Sequence, residues 1–117
     1  MSLNTFIAKI RQQEKVSFQE TIAVITAAYR YQPTEFFNGL GADRLCNAAG
    51  SNEGSCKIFA FARLHDLSPE QTLSLFGDYY WQDVLQHPEG LDHQNIRTFM
   101  RYGWAGIAFS GEALSAA

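Results

Sequence analysis

The chain has 117 residues, 46% of them hydrophobic and 18% charged, with a formal charge of −3. This length accommodates one domain that buries roughly two thirds of its unfolded surface, and the composition excludes wholesale disorder. Nine lysines and arginines are scattered from Lys9 to Arg101 on an acidic chain, which argues against a phosphate-backbone binder and so against a nucleic-acid partner.

The longest apolar runs fall well short of a bilayer span, so no membrane association is expected. Met1 to Lys15 lacks the charged, apolar and small-residue succession of a secretory signal, and the expected location is the cytoplasm. Cys46 and Cys56 are too few for a disulfide scaffold and read as reduced thiols. Met1-Ser2-Leu3 reads as an expression scar.

In chain order, Leu3, Phe6, Ile7 and Ile10 predict a core-facing helix from Leu3 to Glu14. Ser17-Phe18-Gln19-Glu20 is a capping box that opens a second helix, with Phe18, Ile22, Ile25 and Tyr29 on one face. Pro33 breaks the pattern, and Thr34 to Phe37 reads as a short edge strand. A glycine-punctuated loop follows, with a helical turn expected near Asp43 to Ala48.

The third helix, Ser55 to His65, is apolar nearly all round and reads as the central one. Ser68-Pro69-Glu70-Gln71 opens the fourth, with Leu73, Phe76 and Tyr80 continuing its stripe. Gly77 ends or kinks it, and Asp78 caps a new segment to Gln86. After the His87-Pro88-Glu89-Gly90 turn, Asp92 caps a helix whose apolar face is Ile96, Phe99 and Met100, stopped by a left-handed Gly103. Ile107 to Phe109 reads as a second strand, pairing with the first, and the tail from Glu112 is expected to fray. The fold class is therefore α+β, predominantly helical. It is one compact domain over residues 1–117, with five or six helices and a minor two-stranded antiparallel sheet.

Several long words carry a family resemblance. They are Asn47-Ala48-Ala49-Gly50, Gly54 through Ala62, Phe76-Gly77-Asp78-Tyr79-Tyr80 with Asp83-Val84-Leu85, His87-Pro88-Glu89-Gly90, Asp92 through Met100, and Gly103 through Ile107. In this order they resemble the HopJ type III effector family, from Ser17 to Leu114. The resemblance implies an effector-like protein, delivery into host cells by type III secretion, and a host protein as partner. It brings no catalytic residue to carry over.

The residues themselves suggest three kinds of site. Cys56 lies in the first turn of the third helix beside Lys57, where helix amides favour a thiolate; His93, or less well His87, would be its base. Asp78, Asp83 or Asp92 would orient that imidazole. The plain alternative is a small buried thiol packed beside Phe59. The Gly50–Gly54 loop offers amides to an anion, or simply leads into the helix with Ser51 or Asn52 as cap.

Asp83 and His87, four residues apart, share a helix face, and His93 follows across the turn; together they compose a metal set for Zn, Mn or Fe. The alternative has them pinning turn carbonyls. Tyr80 and Trp104, with Asn95 and Arg97 as carboxylate or phosphate anchors, would line a ligand pocket, although aromatics at helical spacing are more often core. The function expected is binding, by contact with a protein or small-molecule ligand and without a cofactor. A cysteine-dependent hydrolase or transferase and a metal-binding protein are the alternatives.

Overall fold

The computed structural model describes residues 1–117. Serine hydroxyls start three of its helices. In α1 (Leu3–Arg11) the Ser2 hydroxyl accepts from the Thr5 amide, and Phe6, Ile7 and Ile10 turn inward. α2 (Phe18–Ala28) begins on the capping box: Ser17 Oγ accepts from the Glu20 amide at 3.0 Å, and the Ser17 amide donates back to Glu20 Oε1 at 3.3 Å. Its buried strip is Thr21, Val24 and Ile25, with Phe18 and Ile22 at the margin. A second box, Ser68 with Gln71, starts α4 (Pro69–Ser74), and Pro69 occupies the first turn, where no donor is needed.

α3 (Glu53–Leu64) runs through the centre. Cys56 and the whole run Ile58 to Ala62 are buried. The Phe59 ring meets those of Phe36, Phe76 and Phe99 at centroid distances of 6.0, 5.6 and 4.9 Å. Partners on several sides explain why this helix has no polar stripe.

Two small antiparallel sheets surround the helices. β1 (Tyr29–Tyr31) continues directly from α2 and pairs with β5 (Leu114–Ala116), Tyr29 opposite Ala116. The tail expected to fray is therefore a paired strand, and Leu114 is buried. In the second sheet β2 (Phe36–Asn38) lies between β3 (Leu45–Asn47) and β4 (Ala108–Phe109). The expected pairing of the strand after Pro33 with Ile107 to Phe109 is present, as Phe36 faces Phe109.

β2 is nevertheless the middle strand and not an edge. The helical turn expected near Asp43 to Ala48 is one 3₁₀ turn, Gly41–Asp43, followed by β3. The backbone crossing at Gly39 sets this up. The Gly39 amide donates to the Gly106 carbonyl at 3.1 Å, and a Cβ on Gly106 would lie 2.6 Å from that nitrogen.

Beyond α4 the chain departs from the expected Asp78-capped helix. Gly77 turns at φ +61°, and Tyr79–Val84 is a π-helical segment in which the Leu85 amide reaches the Tyr80 carbonyl at 3.0 Å. Asp78 makes no capping bond. In α5 (Gln94–Tyr102) the N-cap position falls on His93 and not on Asp92, and no side chain bonds to the leading amides. Ile96 and Phe99 are buried, but Met100 is 45% exposed and lies off the apolar face. Gly103 ends α5 at φ +60°, but its ψ of −149° lies outside the left-handed helical region expected of it. No helix is long and apolar enough to cross a membrane.

Candidate functional site

A cavity of about 480 Å³ opens between the first turns of α3 and α5. Two features of the sequence produce it. Both N-cap residues, Asn52 and His93, adopt a left-handed backbone near φ +50°, and neither caps its own helix with its side chain. The leading amides of both helices are therefore left without a side-chain acceptor. Residues of both first turns line the cavity: Asn52, Gly54 and Ser55 from one, His93, Gln94 and Asn95 from the other.

The floor is a network of asparagine amides. Asn47 Nδ2 donates to Asn95 Oδ1 at 3.1 Å, and Asn95 Nδ2 donates back to Asn47 Oδ1 at 2.9 Å. Asn52 Nδ2 donates to the same Asn47 oxygen at 2.7 Å, and its side chain makes no capping bond to α3. Asn38 Nδ2 donates to the Asn95 carbonyl at 2.8 Å and to its Oδ1 at 3.1 Å, while Asn38 Oδ1 has no donor. These bonds join β2, β3 and both helix starts. The opposite wall is aromatic: the Phe18 and Tyr79 rings meet edge-on at 5.0 Å, and Tyr79 lies 5.0 Å from the His93 ring. The Phe18 ring lies close over Gly54, where a Cβ would stand 2.8 Å from Phe18 Cζ and the ring would have to shift.

At the rim His93 turns its Nε2 toward two carboxylates. Asp83 Oδ2 is 3.0 Å away and Asp92 Oδ2 3.8 Å. Arg97 holds this corner together. Its Nε donates to the Asp92 carbonyl at 2.6 Å, Nη2 to Asp92 Oδ1 at 2.7 Å and to the Asp83 carbonyl at 3.4 Å, and Nη1 to the His87 carbonyl at 2.9 Å. The guanidinium keeps the Asp92 carboxyl below the usual carboxylate range.

The family model for the HopJ type III effector protein matches residues 3–114, which takes in every element of this cavity. The chain belongs to the HopJ family. It is also similar to the solved protein VPA0580, of unknown function, at 47% identity and a TM-score of 0.94, covering 100% of this chain and 95% of the other. No curated protein matches the chain.

Within this HopJ chain the residues expected to act together part company in several places. Cys56 is 1% exposed, and its thiol lies 3.5 Å from the Thr34 carbonyl. Burial pushes that thiol up, against the lowering that helix amides and Lys57 were expected to produce. The Lys57 ammonium sits 4.7 Å over the Tyr31 ring. Cys56 bonds to Thr34 and His93 to Asp83, and no hydrogen bond joins the thiol to the imidazole. Asp78, a third candidate for orienting the imidazole, is exposed and outside the His93 cluster.

Of the three residues expected to gather around a metal, two come together. Asp83 and His93 converge, but His87 is exposed and only its carbonyl joins the corner; Asp92 takes its place. The i, i+4 spacing failed because Tyr79–Val84 is π-helical and the helix does not run on to His87. The ligand quartet does not assemble either. Asn95 lines the cavity and Arg97 the neighbouring groove, whereas Trp104 Nε1 donates to the Leu67 carbonyl at 3.0 Å and Tyr80 packs on Trp81. Sequence reasoning missed Asn38 and Asn47, whose asparagines stand in strands where that residue is uncommon. No local signal marked them, because Asn38 lies beyond the expected strand and Asn47 within the expected helical turn.

Proposed function

We propose that this HopJ-family protein acts by binding rather than by catalysis, and that its cavity takes a small ligand with a flat apolar body and an anionic head. The reading rests on one observation: two helix amino ends, both free of side-chain caps, open on the same cavity. Such ends carry partial positive charge and unsatisfied N–H groups, and two of them reinforce each other toward a carboxylate or phosphate. The Phe18–Tyr79 wall suits the ligand's flat body, and the asparagine side chains suit its polar edges. Family membership supports an effector-like role, with delivery through a type III apparatus and a host protein as the eventual partner.

The experiment is an amide-resolved NMR titration of metal-free protein with inorganic phosphate, benzoate and phenyl phosphate. Saturable shifts at Glu53 to Ser55 together with Gln94 and Asn95 are expected, largest for the aromatic anions. Asn52→Asp sets a carboxylate against the α3 amides and should suppress them. Shifts spread over the surface without saturation, or unchanged in N52D, would overturn the assignment. So would turnover of ester, amide or phosphate substrates that is lost in C56A or H93A.

A further inference from the structure

We propose that Asp83, Asp92 and His93 form a binding site for a divalent transition cation, Zn²⁺ foremost. The three donor atoms lie within 4.8 Å of one another. Ligands held about 2.0–2.1 Å from a tetrahedral Zn²⁺ stand roughly 3.3 Å apart. The two Nε2–oxygen separations, 3.0 and 3.8 Å, bracket that spacing. An imidazole donor alone accounts for only one of them. Its N–H satisfies one acceptor, and 3.8 Å is beyond hydrogen-bond reach, so nothing in an Asp83–His93 hydrogen bond requires the second carboxylate to face the ring.

The carboxylate of Asp92 is aimed there by Arg97. The guanidinium occupies Asp92 Oδ1 and leaves Oδ2 on the side of His93. The same guanidinium binds the backbone carbonyls of Asp83 and Asp92, so one side chain, only 13% exposed, ties together the two segments that carry the ligands. Support of this kind, in which a ligating carboxylate is itself held by a hydrogen bond, is the usual second layer of a metal site. Charge also permits a cation: two carboxylates against one guanidinium give the corner a net negative charge from these three groups.

Asp83 comes from the π-helical segment, a local widening of the helix that occurs frequently at functional sites. Mixed imidazole and carboxylate donors suit Zn²⁺ and Mn²⁺ over Mg²⁺ or Ca²⁺, which take oxygen alone. Three protein donors leave a fourth position open to an outside ligand. His93 also lines the cavity, so the cation would lie beside the place assigned to an anionic head. The cation site stands on its own residues and shares only His93 with that reading.

The test is calorimetric titration of chelator-stripped protein with ZnCl₂ and MnCl₂, in a Cys46→Ser background so that the exposed Cys46 thiol does not compete. NMR of the imidazole nitrogens runs in parallel, without any anion added. One equivalent of Zn²⁺ is expected, with a shift confined to His93 Nε2 among the three histidines. Asp83→Asn and His93→Ala should abolish uptake, and Arg97→Lys should weaken it about tenfold or more through lost positioning. His87→Ala should leave it unchanged. Circular dichroism melts check that each variant is folded, and D83N, nearly isosteric, serves if H93A does not fold. Failure to take up a saturating equivalent, or uptake indifferent to D83N, would overturn the site. The phosphate and benzoate shifts at the helix amides are read in metal-free protein, so the two readings fail separately.

Discussion

Asn47 and Asn95 grip each other by both ends of their side-chain amides, one bond in each direction, with the two residues only 4% and 8% exposed. The pair joins a strand to a helix start 48 positions away in sequence. Removing one partner leaves the other buried with donors and acceptors unpaired. Asn47→Ala should therefore destabilise the protein by about 2–4 kcal/mol, more than its modest volume warrants. Urea unfolding measures this. A loss no larger than that of an exposed asparagine would show the network to be weak.

Gly41 and Gly77 have nearly the same backbone angle, φ +59° and +61°, but different surroundings. A Cβ on Gly41 meets nothing within 4 Å, while one on Gly77 would stand 2.6 Å from the Phe18 amide nitrogen. Gly41→Ala should cost about 1–2 kcal/mol from the left-handed conformation alone. Gly77→Ala should cost clearly more, because α2 must also shift. Comparing the two melting temperatures checks the difference; equal losses would mean that backbone strain is the whole effect.

Tyr29 and His65 carry a pH dependence. The Tyr29 hydroxyl lies 2.6 Å from His65 Nε2 and donates to it when the neutral ring carries its proton on Nδ1. Burial, with some help from Arg11, lowers the pKa of His65 below its ordinary 6.5. The unfolded chain then binds more protons than the folded one below pH 6.5, so this contribution to stability is complete above that value and is lost as the pH falls from it through the lower folded-state pKa. Denaturation midpoints from pH 7.5 down to 5.5 should drop, and His65→Gln should flatten that drop. An unaltered slope in H65Q would assign the dependence to other groups.

The two thiols should differ sharply in reactivity. Cys46 is exposed, whereas Cys56 is buried with its thiol pushed up. A thiol reagent at neutral pH should label one site rapidly in the native protein and the second only on unfolding. Fast labelling of Cys56 would contradict its packing and reopen a nucleophilic role.

Much of the fold was written locally. The capping boxes at Ser17 and Ser68 and the all-apolar run Ile58 to Ala62 appear where their residues place them. Each of these signals is complete within one or two turns. The strands were harder. β2 and β4 were visible through Pro33 and the Ile107–Phe109 alternation, but β3 and β5 carry no such local mark and take their identity from the partner they meet.

The candidate site follows the same division. The crowding of ionisable groups between Gly77 and Arg97 was plain from the residues, and Asp83 and His93 do converge. Asp92 looked like a helix cap by every local rule. Arg97 claims its carboxylate instead, and His93 takes the cap position in a left-handed backbone.

What a reader of the residues alone could know here is whatever depends on near neighbours: hydroxyl caps, apolar stripes, breaks at proline and glycine, and the family words themselves. What required the folded chain was every meeting across long separations, above all the Asn47–Asn95 exchange and the joint opening of α3 and α5 on one cavity. The reason is energetic. A capping bond forms against the ordering of a single turn, whereas distant side chains meet only after the packing of the whole core has offset the entropy of bringing their segments together.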